Sequence, residues 1–299
     1  MADPGVTLER LGSEAEPPRI VDARVVEDAT MRARLVPGAP AAEFAAFLDG
    51  AQQSRVVGVD LSAPIVFATV AAAVRVRVER RLVTWRQPVV QRRVYVPLDY
   101  TDRAAFEAAF GPGQLVDTTE PDDSGEIPSP HPAALLERAR QAVSRDRDLL
   151  EQRLAEQWCR EEHRPLFIDG GIGASEAVAK SGCAIGVIKS HRTLWAGGDA
   201  LRIVLGLRAG ERSSVIAVAH RERARVLSWY LRLRAAEGHD TLWGLIRVEV
   251  AECADPTERA DRVSRWVLAE ATPLASPDSR WDKMAYGIRN TEEFLRAIV

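Results

Sequence analysis

At 299 residues, 46% of them hydrophobic, the chain is long enough to bury a large core, as one big domain or one with embellishments. A net charge of −3 and a pI of about 6.0 give no global basic field of the kind that announces nucleic acid. Cys159, Cys183 and Cys253 are odd in number and far apart, so they form neither a zinc spacing nor a disulfide framework and fit a reducing cytoplasm.

Lysine occurs only at Lys180, Lys189 and Lys283, so nearly all of the 40 basic residues are arginine. Arginine suits bidentate phosphate contacts, and a high-GC coding bias gives the same enrichment. The opening Met1-Ala-Asp-Pro-Gly5 has no basic stretch and no apolar core, so no signal peptide is expected. The most apolar window, Pro64 to Val74, is too short to span a bilayer and runs into Arg75 and Arg77. A soluble cytoplasmic protein with no membrane partner is expected.

Residues 1–40, rich in Pro, Glu and Arg, read as an irregular N-terminal arm with one short helix, followed by a domain over 41–299. Phe44-Ala-Ala-Phe-Leu48 is an apolar run ending in Asp49-Gly50. Strands are expected from Ile65 to Val78 and near Val89 to Val96. Val74-Arg-Val-Arg-Val78 alternates, which predicts an apolar inner face and an outer one carrying Arg75 and Arg77. With the nearby Arg92-Arg93 pair, that outer face is either a solvated surface or a rail for nucleic-acid phosphates. Residues 111–130 carry Pro, Gly and acids without periodicity and read as a mobile loop.

A long amphipathic helix is expected from Pro132 to Glu162, with Leu135, Leu136, Ala139, Val143, Leu149, Leu150 and Leu154 as its stripe. Pro165-Leu-Phe-Ile-Asp-Gly-Gly-Ile-Gly173 comes next, and the rest of the chain is organised around it. Leu166, Phe167 and Ile168 predict a buried strand, and Asp169 at its end stands where open α/β sheets put their ligands. The bland reading is a turn aspartate capping a helix near Ala174. A second strand-end Asp-Gly at Asp49 favours two carboxylates side by side, an arrangement suited to Mg²⁺ or Mn²⁺.

A short helix over Ser175–Ser181, a strand Cys183–Ile188 ending in Lys189, and a helix over 199–207 follow. Strands near 214–219, 226–233 and 242–250 and helices over Thr257–Glu270 and Asp282–Ile298 close the chain. Ala179-Lys180-Ser181 is not the Gly-Lys-Ser of a phosphate loop, and Gly170-Gly171-x-Gly173 fails the dinucleotide spacing. The five histidines are scattered without a zinc pair, and no G-x-S-x-G elbow supports a serine hydrolase. Strands first, then a long helix, a central strand and mixed α/β suggest an α/β fold with a ribonuclease H-like mixed sheet flanked by helices.

Seven pieces carry a resemblance. They are Leu48-Asp49-Gly50, Arg147-Asp-Leu-Leu-Glu151, Leu166-Phe-Ile-Asp-Gly170, Gly186-Val-Ile-Lys189, Asp199 with Leu207-Arg-Ala-Gly-Glu-Arg212, Trp229-Tyr-Leu-Arg-Leu233, and Leu245-Ile-Arg-Val-Glu-Val250. In this order they resemble the NurA nuclease family, ribonuclease H-like partners of HerA-type translocating ATPases, over roughly residues 44–299.

The resemblance implies a metal-dependent nuclease, using Mn²⁺ (or Mg²⁺), that acts on DNA ends and single strands in repair or phage defence. It implies a homodimer docked on a hexameric ATPase. Its acids fall on Asp49, Glu151 and Asp169. Read from the strand order, Lys189, at the end of the neighbouring strand, is placed to touch the scissile phosphate. Other acids on the long helix, Glu137, Asp146, Asp148 and Glu156, compete with Glu151, whose bland role is an ion pair with Arg147 at i−4. The family's late His or Asp after an Ala is missing, since Ala285 is followed by Tyr286, with Asp282 the nearest substitute. That departure leaves open a catalytically weak DNA clamp and ATPase-binding subunit. An unrelated α/β protein with Asp-Gly turns is the third reading.

Overall fold

The computed structural model describes residues 17–79, 81–111, 113–119, 129–220, 223–271, 283 and 285–299. In chain order these form β1 (Arg19–Ile20), β2 (Arg24–Val25), β3 (Ala33–Leu35), β4 (Ala46–Asp60), β5 (Ala63–Val78), β6 (Arg81–Thr84) and β7 (Val89–Val96). Then come α1 (Arg103–Ala109), β8 (Leu115–Asp117), α2 (Pro132–Glu161), β9 (Leu166–Asp169), α3 (Glu176–Ala179), β10 (Ala184–Ile188), β11 (Thr193–Leu194) and α4 (Gly198–Leu205). The last elements are β12 (Glu211–Ser213), β13 (Ile216–His220), β14 (Arg223–Arg232), β15 (Leu245–Val250), α5 (Pro256–Glu270) and α6 (Tyr286–Arg296). The architecture is α/β, a large mixed sheet flanked by helices. Among the described residues no helix is long and apolar enough to cross a membrane.

Two compact units divide the chain. One takes residues 18–53, 70–91 and 146–299. Its sheet runs β5-β4-β9-β10-β15-β14-β13-β2. β4, β9 and β10 are mutually parallel, and β15 turns antiparallel to β10. The alternation of strand side chains sorts the sequence cleanly. Phe47, Phe167, Ile185 and Val187 enter one core with Trp229, Val263 and Ile288, on the side covered by α5 and α6. Phe44, Phe47, Phe167 and Trp266 form an aromatic cluster there, with ring centroids 5.1–6.1 Å apart. Gly287 lets α6 settle on β4, because a Cβ at that position would lie 2.3 Å from the Phe47 ring.

Several expectations need correction. β4 does not end at Asp49 but continues to Asp60, so Gly50 is a strand residue rather than a turn. The described residues 17–40 carry three short strands where an irregular arm with one short helix was expected. β2 pairs with β13 and β3 with β12, and the buried Glu27 carboxylate takes Arg212 at 2.7 Å. The face of β5 bearing Arg75 and Arg77 is not an outer one, because the C-terminal helices cover it. Arg75 lies 4.5 Å over the Phe294 ring and donates to Leu82 O and Thr84 Oγ1. Arg77 binds both oxygens of the buried Glu270 at 2.8 Å. The alternation marked a strand correctly, and ion pairing replaced solvation on its charged side. The stripe of α2 is as read at Leu150 and Leu154, both buried, whereas Leu149 is exposed.

The other unit takes residues 54–69 and 92–145. Val94, Val96 and Leu98 pack there with Ile65, Phe67, Phe106, Phe110 and Leu115. β8, paired in parallel with β7, falls inside the stretch expected to be a loop. Residues 112 and 120–128 of that stretch lie outside the described residues.

Candidate metal centre

β4 and β9 pair in parallel at Ala46–Leu166, Phe47–Phe167 and Leu48–Ile168. The next rung sets Asp49 beside Asp169. Both aspartates follow a core phenylalanine by two residues, so they continue the α6-covered side of the sheet beyond the apolar core. Lys189 stands two residues past Val187 in the same way, and its Nζ donates to Asp169 Oδ2 at 2.7 Å. α6 brings a third carboxylate. One oxygen each of Asp49, Asp169 and Glu292 lie within 4.8 Å of one another. Arg296 approaches Glu292 from the next turn of the helix at 3.5 Å.

Glu151 reaches the same rim from α2, on the other side of the sheet. A Cβ at Gly50 would lie 2.1 Å from its Oε1, so glycine at 50 is what leaves this carboxyl room. Its expected partner is present, with Arg147 Nε 3.2 Å from Glu151 Oε1. Beside them a cleft of about 260 Å³ is lined by Arg147, Glu151, Gln152, Asp169, Gly170 and Ser175, among others. The helix after the glycines is capped by the Ser175 hydroxyl rather than by Asp169.

Crowding these acids has an electrostatic consequence. Asp49 is pushed up to about 7, first by burial and then by the negative charge of Asp169, against the pull of Lys189. Glu151 is pushed up to about 8, chiefly by burial, with Arg147 opposing and Asp49, Asp148 and Asp169 adding to the rise. A rim that resists full ionisation is the setting in which a hard cation binds well, since it satisfies several carboxylate oxygens at once. The donor set is all oxygen, which fits Mg²⁺ or Mn²⁺ rather than a soft metal.

Of the residues singled out in the sequence, Asp49, Asp169 and Lys189 are brought together, with Glu151 at their edge. Sequence reasoning missed Glu292. Its only local signal is an amphipathic final helix opening on Tyr286-Gly287, and nothing in that pattern says which strand the helix covers. Tyr286 is exposed, and Asp282 lies outside the described residues. Arg75 and Arg77 are engaged inside the protein rather than at a phosphate rail. Arg92 and Arg93 belong to the other unit, Arg92 exposed and Arg93 half-buried. No family model matches the chain, and no curated protein matches it.

Proposed function

We propose that the chain is a divalent-metal-dependent nuclease with a ribonuclease H-like sheet, hydrolysing DNA phosphodiester bonds at ends or in single strands. The observation that carries the reading is the convergence of Asp49, Asp169 and Glu292 beside Lys189. Three adjacent strands, a long helix and two further strands parallel to the first fit the fold that the NurA resemblance implies. The partners implied with it, a second copy and a HerA-like hexameric ATPase, belong to the same proposal.

Asp49, Asp169 and Glu292 would hold Mn²⁺ or Mg²⁺. When bound there, the ion supplies Lewis acidity and an activated water. The rest of the chemistry belongs to the side chains. Lys189 holds its positive charge at Asp169, beside the acids, and suits the developing negative charge of a phosphate under attack. Glu151, raised to about 8 chiefly by burial, stands at the same rim from the other side of the sheet, as a group for proton transfer there. Arg147 steadies that carboxyl.

The test is cleavage of end-labelled linear duplex and single-stranded DNA with Mn²⁺. Wild type should cut. Asp49→Asn and Asp169→Asn should remain folded and lose several orders of magnitude in rate, since the residues of such a site act as a unit. Undiminished cleavage by either variant rejects the assignment.

A further inference from the structure

The Leu245–Val250 segment is part of the resemblance, yet neither Arg247 nor Glu249 touches the acids just described. Glu249 is a buried carboxylate, 5% exposed, in the middle of the sheet. Arg247 Nη1 lies 2.6 Å from its Oε1 and 3.0 Å from Ser228 Oγ. Its other oxygen, Oε2, accepts from the backbone N–H of Ile172 at 2.9 Å. Ile172 is three residues beyond Asp169, on the turn by which the chain leaves the rim.

Register explains how a strand two places away reaches that turn. Gly186 of β10 stands opposite Ile168 of β9 on one side and Glu249 of β15 on the other. With no side chain at Gly186, the turn folds back over β10. A Cβ there would lie 2.7 Å from Gly170 O and 3.2 Å from Ile172 N. Gly170, with φ +140°, makes the reversal, and its N–H donates to Val187 O at 3.0 Å. Gly171 leaves the space above, since a Cβ there would lie 2.9 Å from Glu249 Oε2. Three glycines and one buried charge thus converge on the residues immediately after Asp169.

We propose that Glu249 is a positioning residue: by holding Ile172 N–H across Gly186 it fixes the backbone exit of Asp169 and so the direction of that carboxylate toward the cation, a role that rests on the metal-centre reading above. Outer partners that orient a metal ligand are worth about ten- to a hundredfold in affinity. A purely structural Glu249, present to neutralise Arg247, makes the opposite demands on substitution.

The experiment compares Glu249→Asp with the double variant Arg247→Met, Glu249→Gln, using Mn²⁺ affinity by calorimetric titration and hydrogen exchange at the Ile172 amide. Aspartate keeps the charge beside Arg247 but falls one methylene short of Ile172. The double variant removes both charges, while its one amide oxygen keeps the reach to the Ile172 N–H. The proposal expects E249D to bind Mn²⁺ about ten- to a hundredfold more weakly and to exchange the Ile172 amide faster, while the double variant stays close to wild type in both. Wild-type affinity in E249D, or a loss in the double variant as large as that of E249D, overturns it. A wild type that takes up no Mn²⁺ fails the metal-centre reading itself, before any variant is compared, and this proposal with it.

Discussion

Lys189 Nζ lies 2.7 Å from Asp169 Oδ2, and both side chains are largely shielded from solvent. The lysine therefore occupies, electrostatically, part of the role a divalent cation would take. Cation and ammonium compete for the same carboxylate, but only the ammonium is free to turn toward substrate.

Lys189→Met should accordingly separate binding from turnover. Removing the competing charge should tighten Mn²⁺ binding by about tenfold, the factor that 1.4 kcal/mol represents. Cleavage should fall by about 10²–10³, the usual loss when one stabiliser of transition-state charge is removed. Titration calorimetry and single-turnover cleavage on the same preparation check both. Parallel losses in binding and rate would instead make Lys189 a structural prop.

Glu151 ties the site to the pH dependence of stability. Its carboxyl moves from 4.5, the ordinary value, to about 8 in the fold, and Asp49 moves from 3.8 to about 7. Both folded values are raised. The folded state thus keeps protons that the unfolded chain has released, and stability falls as pH rises from about 4 through 8. In metal-free protein Glu151→Gln should match wild type near pH 4.5 and melt at least ~2–4 °C higher at pH 8.5, the shift that 1 kcal/mol gives in a domain of this size. A variant less stable than wild type at pH 8.5 would show that the Arg147 pair outweighs the burial cost.

How far the sequence was legible depends on how local each signal is. Leu166–Asp169 could be read because a buried strand and its terminal acid are written in adjacent residues; at Phe44–Asp49 the same local pattern gave the buried run, but not that β4 runs on to Asp60. The 30-residue span of α2 was legible from its stripe, and Arg147 with Glu151 from its period. Glu292 was not, because its role depends on α6 crossing β4 at Gly287, a contact between residues some 240 positions apart in the chain. The same packing misdirected the reading of Arg75 and Arg77. Alternation says that two sides of a strand differ, and the covering helices decide which side meets water. β1 and β2, two residues each, are too short to carry any period.

That covered face makes its own prediction. Arg77 is the partner of Glu270, which is 3% exposed, and it also donates to Phe44 O at 3.0 Å. Arg77→Met should destabilise the protein by about 3–5 kcal/mol by leaving a buried carboxylate unpaired. Arg77→Met with Glu270→Leu should recover much of it. Chemical denaturation of the single and double variants decides the matter. A single variant within experimental error of wild type would return Arg77 to the surface role the sequence suggested.

On the proposed reading Asp49, Asp169 and Glu292, from two strands and the last helix, hold one cation together, with Glu151 beside that site rather than in it. Mn²⁺ binding to wild type, Glu292→Gln and Glu151→Gln, followed by loss of the free-ion EPR signal, tests this most directly. Wild type should bind. Glu292→Gln should weaken binding by at least about tenfold, since a hard cation loses one of three charged oxygens, and Glu151→Gln should bind nearly as wild type does. Wild-type affinity in Glu292→Gln, together with a loss in Glu151→Gln, would contradict the account and return the third ligand to the long helix.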